Sequence, residues 1–598
     1  MQSIRGRLLG RPLGAALSRR CNTPDPLLAA SLISGNSNIN ETKGIADSKH
    51  GLGALNRTTS SRWLWNEQQQ LASRSVKFDL TALLQLAAAA TASRSCTQVS
   101  KISDGQYNKV YQLTMDDGRE FIAKFPNPNA GRPHLTTASE VATMDFLGNA
   151  LNIPVPRVYA WSSRASQSPL GAEYILMEKL PGVVLTDVWH TMKGKQKVKI
   201  LDQIVDIERR LARTRFTKFG SLYYRDDLPN SPDPKRTLYH DLMGNQVGTK
   251  TFAMGPTNHP SFFDFGRGQL TIDRGPWSTL TDYMTAIVQR EIESAKSGFR
   301  YPLMPEGLFY GPRQYQPTLS KKLSALENYL KVAPDVLPED KTTHVSVLWH
   351  DGLHSQNIFV DSEDPSRIVG IIGWQSVSAC PLFMQAGRPA FLDYNGPTPK
   401  DLGKVPLPPN FDSMHPDEQR KAKALRLAQT LHNIYLDRCL QQNKPAFEAI
   451  QGQNTLQHQV SVAPGLVSMD YEPLLNSLLR DVEKEWAHID AVGNNDIPRG
   501  TPFPLRFSDE EIQEQERDGE LWAQGVELMD AFVGDTGCFK HWDGRVSDAD
   551  YERSRKELDE GVERFLDREA RNEEERMEWL KSLVFVDQGN SQGEGDSH

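Results

Sequence analysis

Between residues 99 and 125 the segment VSKISDGQYNKVYQLTMDDGREFIAKF alternates apolar and polar positions. Tyr111, Leu113 and Met115 interleave with Val110, Gln112 and Thr114, a period of two that marks a half-buried strand. Asp117-Gly118 is a two-residue hairpin signal, and Phe121, Ile122 and Ala123 then lead to Lys124. The pattern predicts strand, turn, strand, with a loop containing Gly105 in front. Upstream, Asp79 can accept the free first-turn amides of a helix through LTALLQLAAAA. The apolar run over 83–92 is about half of the roughly 20 residues that cross a bilayer, so it reads as a packing helix and not as a span.

The spacing of Val141, Met144 and Leu147 predicts a helix over 136–149. A Pro-bounded strand follows near IPVPRVYAW, then an apolar strand over 173–182 that ends in a Gly/Pro turn. Helical patterns dominate afterwards, as in KVKILDQIVDIERRLART. Strands return at VSVLWH, NIFVD and RIVGIIGW. Over the last 60 or so residues acids and bases interleave in a helical pattern, whose default meaning is a solvated face.

The two ends differ in charge. Arg5, Arg7, Arg11, Arg19 and Arg20 precede the first acidic residue, Asp25, and Leu8, Leu9, Leu13 and Leu17 lie among them. A basic, acid-free amphipathic start describes a mitochondrial transit peptide. Residues 25–61 are rich in Ser, Asn, Gly and Thr and read as linker, with order expected from Arg62-Trp63-Leu64-Trp65 onward. The net charge of -8 gives no reason to expect a nucleic-acid partner. Cys21, Cys96, Cys380, Cys439 and Cys538 are scattered, with no C-x-x-C pair, so neither a disulfide framework nor a zinc site is expected.

Several features fall in one order: the Gly105 loop, Lys124 on a strand, Glu140 on a helix sixteen positions later, LWHDGLHSQNIFVD over 348–361 and IVGIIGWQSV over 368–377. This order resembles the protein-kinase-like fold in its aminoglycoside/choline phosphotransferase branch. The phrases WLWNE, ASEVATM, IPVPRVYAW, DRGPW, NIFVD and FLDYNGP resemble the mitochondrial family named for altered inheritance of mitochondria protein 9. The resemblance implies an α+β, bilobal kinase-like fold. Its parts would be a helical extension over 61–98, a small β-rich N-lobe over 99–182, a large mainly helical C-lobe over 183–530, and a charged helical tail over 531–598. It implies ATP as cofactor, with Lys124 on the α/β-phosphates and Glu140 fixing that lysine. The adenine would bond the backbone along Met177, Glu178, Lys179 and Leu180, a stretch that also reads as a plain buried strand. The loop SDGQYNKVY has Gly105 but lacks the three-glycine pattern.

Two positions depart from the family. Its catalytic loop reads H-x-D-L-H-x-x-N, and here His350, Asp351, Gly352, Leu353, His354 and Asn357 put glycine where the acid belongs. Asp351 is one position off, and in an extended loop one position turns a side chain the other way. The family's I-I-D-W-Q becomes IIGWQ, so Gly373 replaces the main magnesium ligand and Asn357 is the recognisable ligand left. Asp361 and Asp364 read as turn residues, and His350 as a loop-bracing residue, since His350 and His354 lack an H-E-x-x-H context. Losing a general base costs roughly 10² to 10⁴ in rate, and losing the metal's charge several kcal/mol more.

These departures point to a pseudokinase acting as a mitochondrial binding or scaffold module, with weak nucleotide binding that does not need Mg²⁺, or with none. The alternative is an active ATP-dependent small-molecule phosphotransferase with a rearranged loop using Asp351. A third reading is another transfer chemistry on the same fold. The expected partners are a nucleotide and an unidentified small molecule or mitochondrial protein. Trp189, Tyr223, Tyr224, Phe262, Phe263 and Trp277 would line an acceptor pocket or fill the core, and core filling is the reading the pattern favours.

Overall fold

A computed structural model describes residues 61–229, 233, 235–299, 309–350, 353–492, 502–537 and 543–583. The expected transit peptide and linker over 1–60, and Asp351 and Gly352 of the catalytic-loop motif, lie outside the described residues.

The extension before the main sheet is not helical throughout. It holds a short strand, β1 (Ser61–Trp63), then α1 (Glu67–Ser73) and α2 (Leu80–Thr91). The amide of Ala82 donates to Asp79 Oδ1 at 3.0 Å, so Asp79 caps α2. Leu83, Ala87 and Thr91 form a buried stripe at four-residue spacing, and the other positions of α2 are partly or fully exposed. The alanine-rich run therefore packs on one face only. Among the described residues no helix is long and apolar enough to cross a membrane.

Five antiparallel strands make the N-terminal sheet: β2 (Cys96–Asp104), β3 (Asn108–Met115), β4 (Glu120–Pro126), β5 (Val158–Ser162) and β6 (Tyr174–Glu178). Their spatial order is β2-β3-β4-β6-β5, with α3 (Leu135–Asn149) connecting β4 to β5. The β3–β4 hairpin closes at the expected turn, where Gly118 N donates to Met115 O at 3.0 Å. Pairing on β5 starts only at Val158, because Pro154 and Pro156 have no N–H to give to a ladder. Tyr111, Leu113 and Met115 of β3 and Phe121, Ala123 and Phe125 of β4 turn to one side, where they form a core with Leu83 and Ala87 of α2.

The chain leaves β6 through β7 (Val183–Val184) into the larger lobe. Its core helices include α4 (Gly194–Arg213), and β7 joins β8 (Ile358–Val360) and β9 (Ile368–Ile371) in a three-stranded sheet. The predicted strand over 345–350 is shorter than expected: Ser346 and Val347 pair, and Leu348, Trp349 and His350 run on as buried irregular chain. One partner strand, Cys380–Pro381, is itself two residues long and ends in a proline, and on the other side only Ser346 pairs, with Phe216. Tyr223, Phe262 and Trp277 are buried in the core, and Tyr224 OH donates to Asp145 Oδ2 at 2.6 Å. The helix α5 (Pro416–Gln442) packs on α4.

The charged C-terminal part is amphipathic and not solvated all round. It comprises α6 (Asp509–Thr536), β10 (Arg545–Ser547), α7 (Tyr551–Glu569) and α8 (Glu573–Ser582). Leu558, Val562, Phe565 and Leu566 make a buried stripe on α7, in one core with Phe532 of α6, Trp579 of α8 and Leu64 and Trp65 near the start. The many flanking charges hide this stripe in composition. Strand β10 pairs antiparallel with β1, so the tail folds back on the first described residues.

Candidate functional site

Alternation along β4 puts Lys124 on the face opposite Phe121, Ala123 and Phe125. Helix α3 crosses that face. Lys124 Nζ donates to Glu140 Oε1 at 2.5 Å and to Oε2 at 2.7 Å, and the two side chains are only 10% and 7% exposed. The helix is buried from Leu135 through Met144, because its threonines and serine pack between the sheet and the larger lobe. A charged glutamate is tolerated there because the lysine neutralises it. The start of α3 is fixed by Glu173, a residue the sequence pattern marks only as the edge of a strand. His134 N donates to Glu173 Oε1 at 2.8 Å and Thr137 Oγ1 to Oε2 at 2.6 Å. Burial pushes the Glu173 carboxyl above its usual range, against these hydrogen bonds.

The Gly105 loop joins β2 to β3. Its flank is a buried charge cluster. Lys109 Nζ and Lys101 Nζ each lie 2.9 Å from the Asp104 carboxylate. Burial opposes the charge on Asp104, yet the two lysines hold its carboxyl below the usual range. On the loop itself, Asn127 Nδ2 donates to the carbonyls of Gly105 at 3.1 Å and Gln106 at 3.3 Å. Asn108 Nδ2 donates to Gln375 Oε1 at 2.6 Å and so links the two lobes. Asn127 and Glu173 carry no motif of their own, and Gln375 is the closing residue of IIGWQ. The cluster FPNPNA around Asn127 reads simply as a turn.

The hinge stretch splits. Met177 pairs with Ile122 and lies on the same face as Lys124, whose partner is Ile175. Glu178 is used by the sheet: its N–H donates to Arg157 O at 2.8 Å and its Oε2 accepts from Arg157 N at 3.1 Å. Leu180 packs on Gly370 of β9, where an added Cβ would lie 2.4 Å from Leu180 Cδ1. At Gly182, φ is +89° and a Cβ would fall 2.1 Å from Val360 O, so the crossing into β7 demands glycine.

Asn357 and Gly373 come together. Ile372 N donates to Asn357 O at 2.9 Å. Gly373 has φ +91°, and a Cβ built on it would lie 3.0 Å from Asn357 Nδ2 and 3.3 Å from His350 Nε2. Position 373 thus faces the Asn357 amide with no side chain to offer it. His350 braces the loop, its Nε2 lying 2.9 Å from Ile372 O and its ring edge-on to Trp374 with centroids 4.7 Å apart. Asp361 and Asp364 are turn residues: Asp361 Oδ1 accepts from Glu363 N at 2.8 Å and Asp364 N at 3.0 Å, and Asp364 Oδ1 accepts from Ser366 Oγ at 2.6 Å. Among the described residues no group of three His, Cys, Asp or Glu side chains can hold a metal ion. A magnesium ion is not fitted by these residues, since Asn357 offers one neutral oxygen and Gly373 none.

A small antiparallel sheet with a buried lysine–glutamate pair, hinged onto a mainly helical lobe, defines the kinase-like class of phosphotransferase folds. The profile of the phosphotransferase enzyme family (APH) matches residues 98–249. The subtelomeric hrmA-associated cluster protein of Aspergillus fumigatus is 34% identical over 357 residues, which cover 55% of this chain and 67% of that protein. This chain belongs to the phosphotransferase enzyme family. The altered inheritance of mitochondria protein 9 of Yarrowia lipolytica is 24% identical over 496 residues, 79% of this chain and 82% of its own. Among solved structures, an aminoglycoside phosphotransferase in a ternary complex with streptomycin and ATP aligns at 11% identity over 76% of this chain and 99% of its own, with a TM-score of 0.32.

Proposed function

We propose that this chain is a mitochondrial pseudokinase, which binds a nucleotide between its two lobes and acts as a binding or scaffold module. The observation that carries the reading is Gly373: its Cβ direction runs at Asn357 Nδ2 and His350 Nε2, the spot where the family has its metal-binding carboxylate. Among the described residues the site offers one amide and no carboxylate, a set that does not neutralise a transferring phosphoryl group as a metal does. The retained Lys124–Glu140 pair supports nucleotide binding, since a buried lysine held by a glutamate is a fixed cation for phosphates. Relatives named as mitochondrial and the arginine-rich start support the location.

Thermal unfolding of the full chain with ATP, in the presence and absence of Mg²⁺, tests this. Ligand at 100 times its Kd adds about 2.7 kcal/mol, a shift of about 2 °C for a protein of this size. The expected result is a shift indifferent to Mg²⁺. A shift that requires Mg²⁺ sinks the pseudokinase reading, and the absence of any shift removes the nucleotide from it.

A further inference from the structure

Asn127 stands just after β4 and is 3% exposed. Its Nδ2 donates to two consecutive carbonyls, Gly105 at 3.1 Å and Gln106 at 3.3 Å. Its backbone N–H donates to a third, Tyr107 O, at 2.8 Å. The orientation of the amide is set by chemistry: turned over, its Oδ1 would oppose two carbonyl oxygens.

A trans peptide is planar, and its C=O and N–H point in opposite directions. Carbonyls gathered on one residue therefore send the N–H groups of Gln106 and Tyr107 away from it. Successive N–H groups turned to one side form an anion-binding concavity. Asn108, the next residue, reaches Gln375 at 2.6 Å, so the loop stands over the segment that carries Gly373. Glycine-rich phosphate loops gain such a shape from glycines that let the backbone bend. Here there is one glycine, and a single asparagine holds the carbonyls back.

We propose that Asn127 is the positioning residue of a phosphate-binding loop, holding the carbonyls of Gly105 and Gln106 back so that the loop amides meet the terminal phosphates of a nucleoside triphosphate. The proposal rests on the nucleotide reading of the cleft.

The test is calorimetric titration of the full chain with ATP and with adenosine, both without metal, comparing wild type, Asn127→Ala and Lys124→Met. A role at the phosphates predicts that Asn127→Ala weakens ATP about tenfold and leaves adenosine unchanged, a split that general loosening of the fold does not produce. If Asn127→Ala does not fold, Asn127→Asp keeps the volume, removes the donor, and is read the same way. Equal loss of both ligands, or of neither, overturns the role of Asn127. If Lys124→Met weakens ATP while the Asn127 variants do not, the role of Asn127 falls and the nucleotide reading stands. If wild type binds neither ligand, both fall together.

Discussion

Arg545 Nη2 donates to the backbone carbonyl of Asp104 at 2.6 Å, across 441 positions of sequence. The C-terminal part thereby braces the residue that leads into the Gly105 loop. The same junction holds a buried ion pair, Arg74 Nη2 to Asp543 Oδ2 at 2.9 Å, with both side chains 3% exposed. Trp63 Nε1 donates to that Asp543 oxygen at 3.0 Å. The tail is thus part of the small lobe's framework and not an appendage.

Removing one partner of such a pair leaves the other charge buried. Asp543→Ala is expected to cost about 3–5 kcal/mol in unfolding free energy. Asp543→Asn still accepts from Trp63 and should cost less. Urea denaturation measures both, and a loss under about 1 kcal/mol for the alanine variant would show that the brace contributes nothing.

The Lys124–Glu140 pair makes the same demand at the cleft, with a sharper signature. Glu140→Leu strands a lysine that is 10% exposed and should cost about 3–5 kcal/mol. The combined Lys124→Met, Glu140→Leu variant removes both charges and is expected to lose much less than the two single changes added together. A double-mutant cycle by chemical denaturation checks this. Additive losses would mean that the two side chains do not interact in solution.

How much of this was legible depends on distance along the chain. The β3–β4 hairpin and α3 follow from periods of two and 3.6 that any short window carries. Lys124, Glu140, Asn357 and Gly373 were legible because order and spacing match a family motif. Asn127 and Glu173 were not, because their meaning is a partner 22 and 39 positions away, at Gly105 and at His134. The buried face of the tail was hidden for a related reason. On α7 the apolar stripe is four residues among many charges, and its meaning appears only when Phe532, Trp579 and Trp65 arrive from other segments.

Gly373 sits at φ +91°, a conformation that costs other residues about 1–2 kcal/mol. Gly373→Ala should lower stability by about that amount. Gly373→Asp should lower it less, because aspartate tolerates positive φ better than alanine and its carboxylate can accept from Asn357 Nδ2. The aspartate variant is also expected to gain a thermal shift on adding Mg²⁺ with ATP that wild type lacks. If melting of Gly373→Asp stays indifferent to Mg²⁺, position 373 does not face a metal site.

Glu208 of α4 is buried against α5, where Tyr435 OH donates to its Oε2 at 2.9 Å. Burial pushes its carboxyl up to about 8, from 4.5 for an ordinary glutamate, and the tyrosine hydrogen bond only partly offsets that. Below about pH 4.5 the group is protonated folded or unfolded and stability does not depend on it. Between there and pH 8 the unfolded chain gives up the proton and the folded one keeps it, so stability falls as pH rises, by about 5 kcal/mol over the whole window. Above pH 8 both states are ionised and the dependence ends. Glu208→Gln keeps the acceptor for Tyr435 and cannot ionise. Its melting temperature should match wild type near pH 5 and exceed it at pH 8, with a flatter slope between. Parallel curves for the two proteins would show that Glu208 ionises at its ordinary pH inside the fold, which requires water to reach it between α4 and α5.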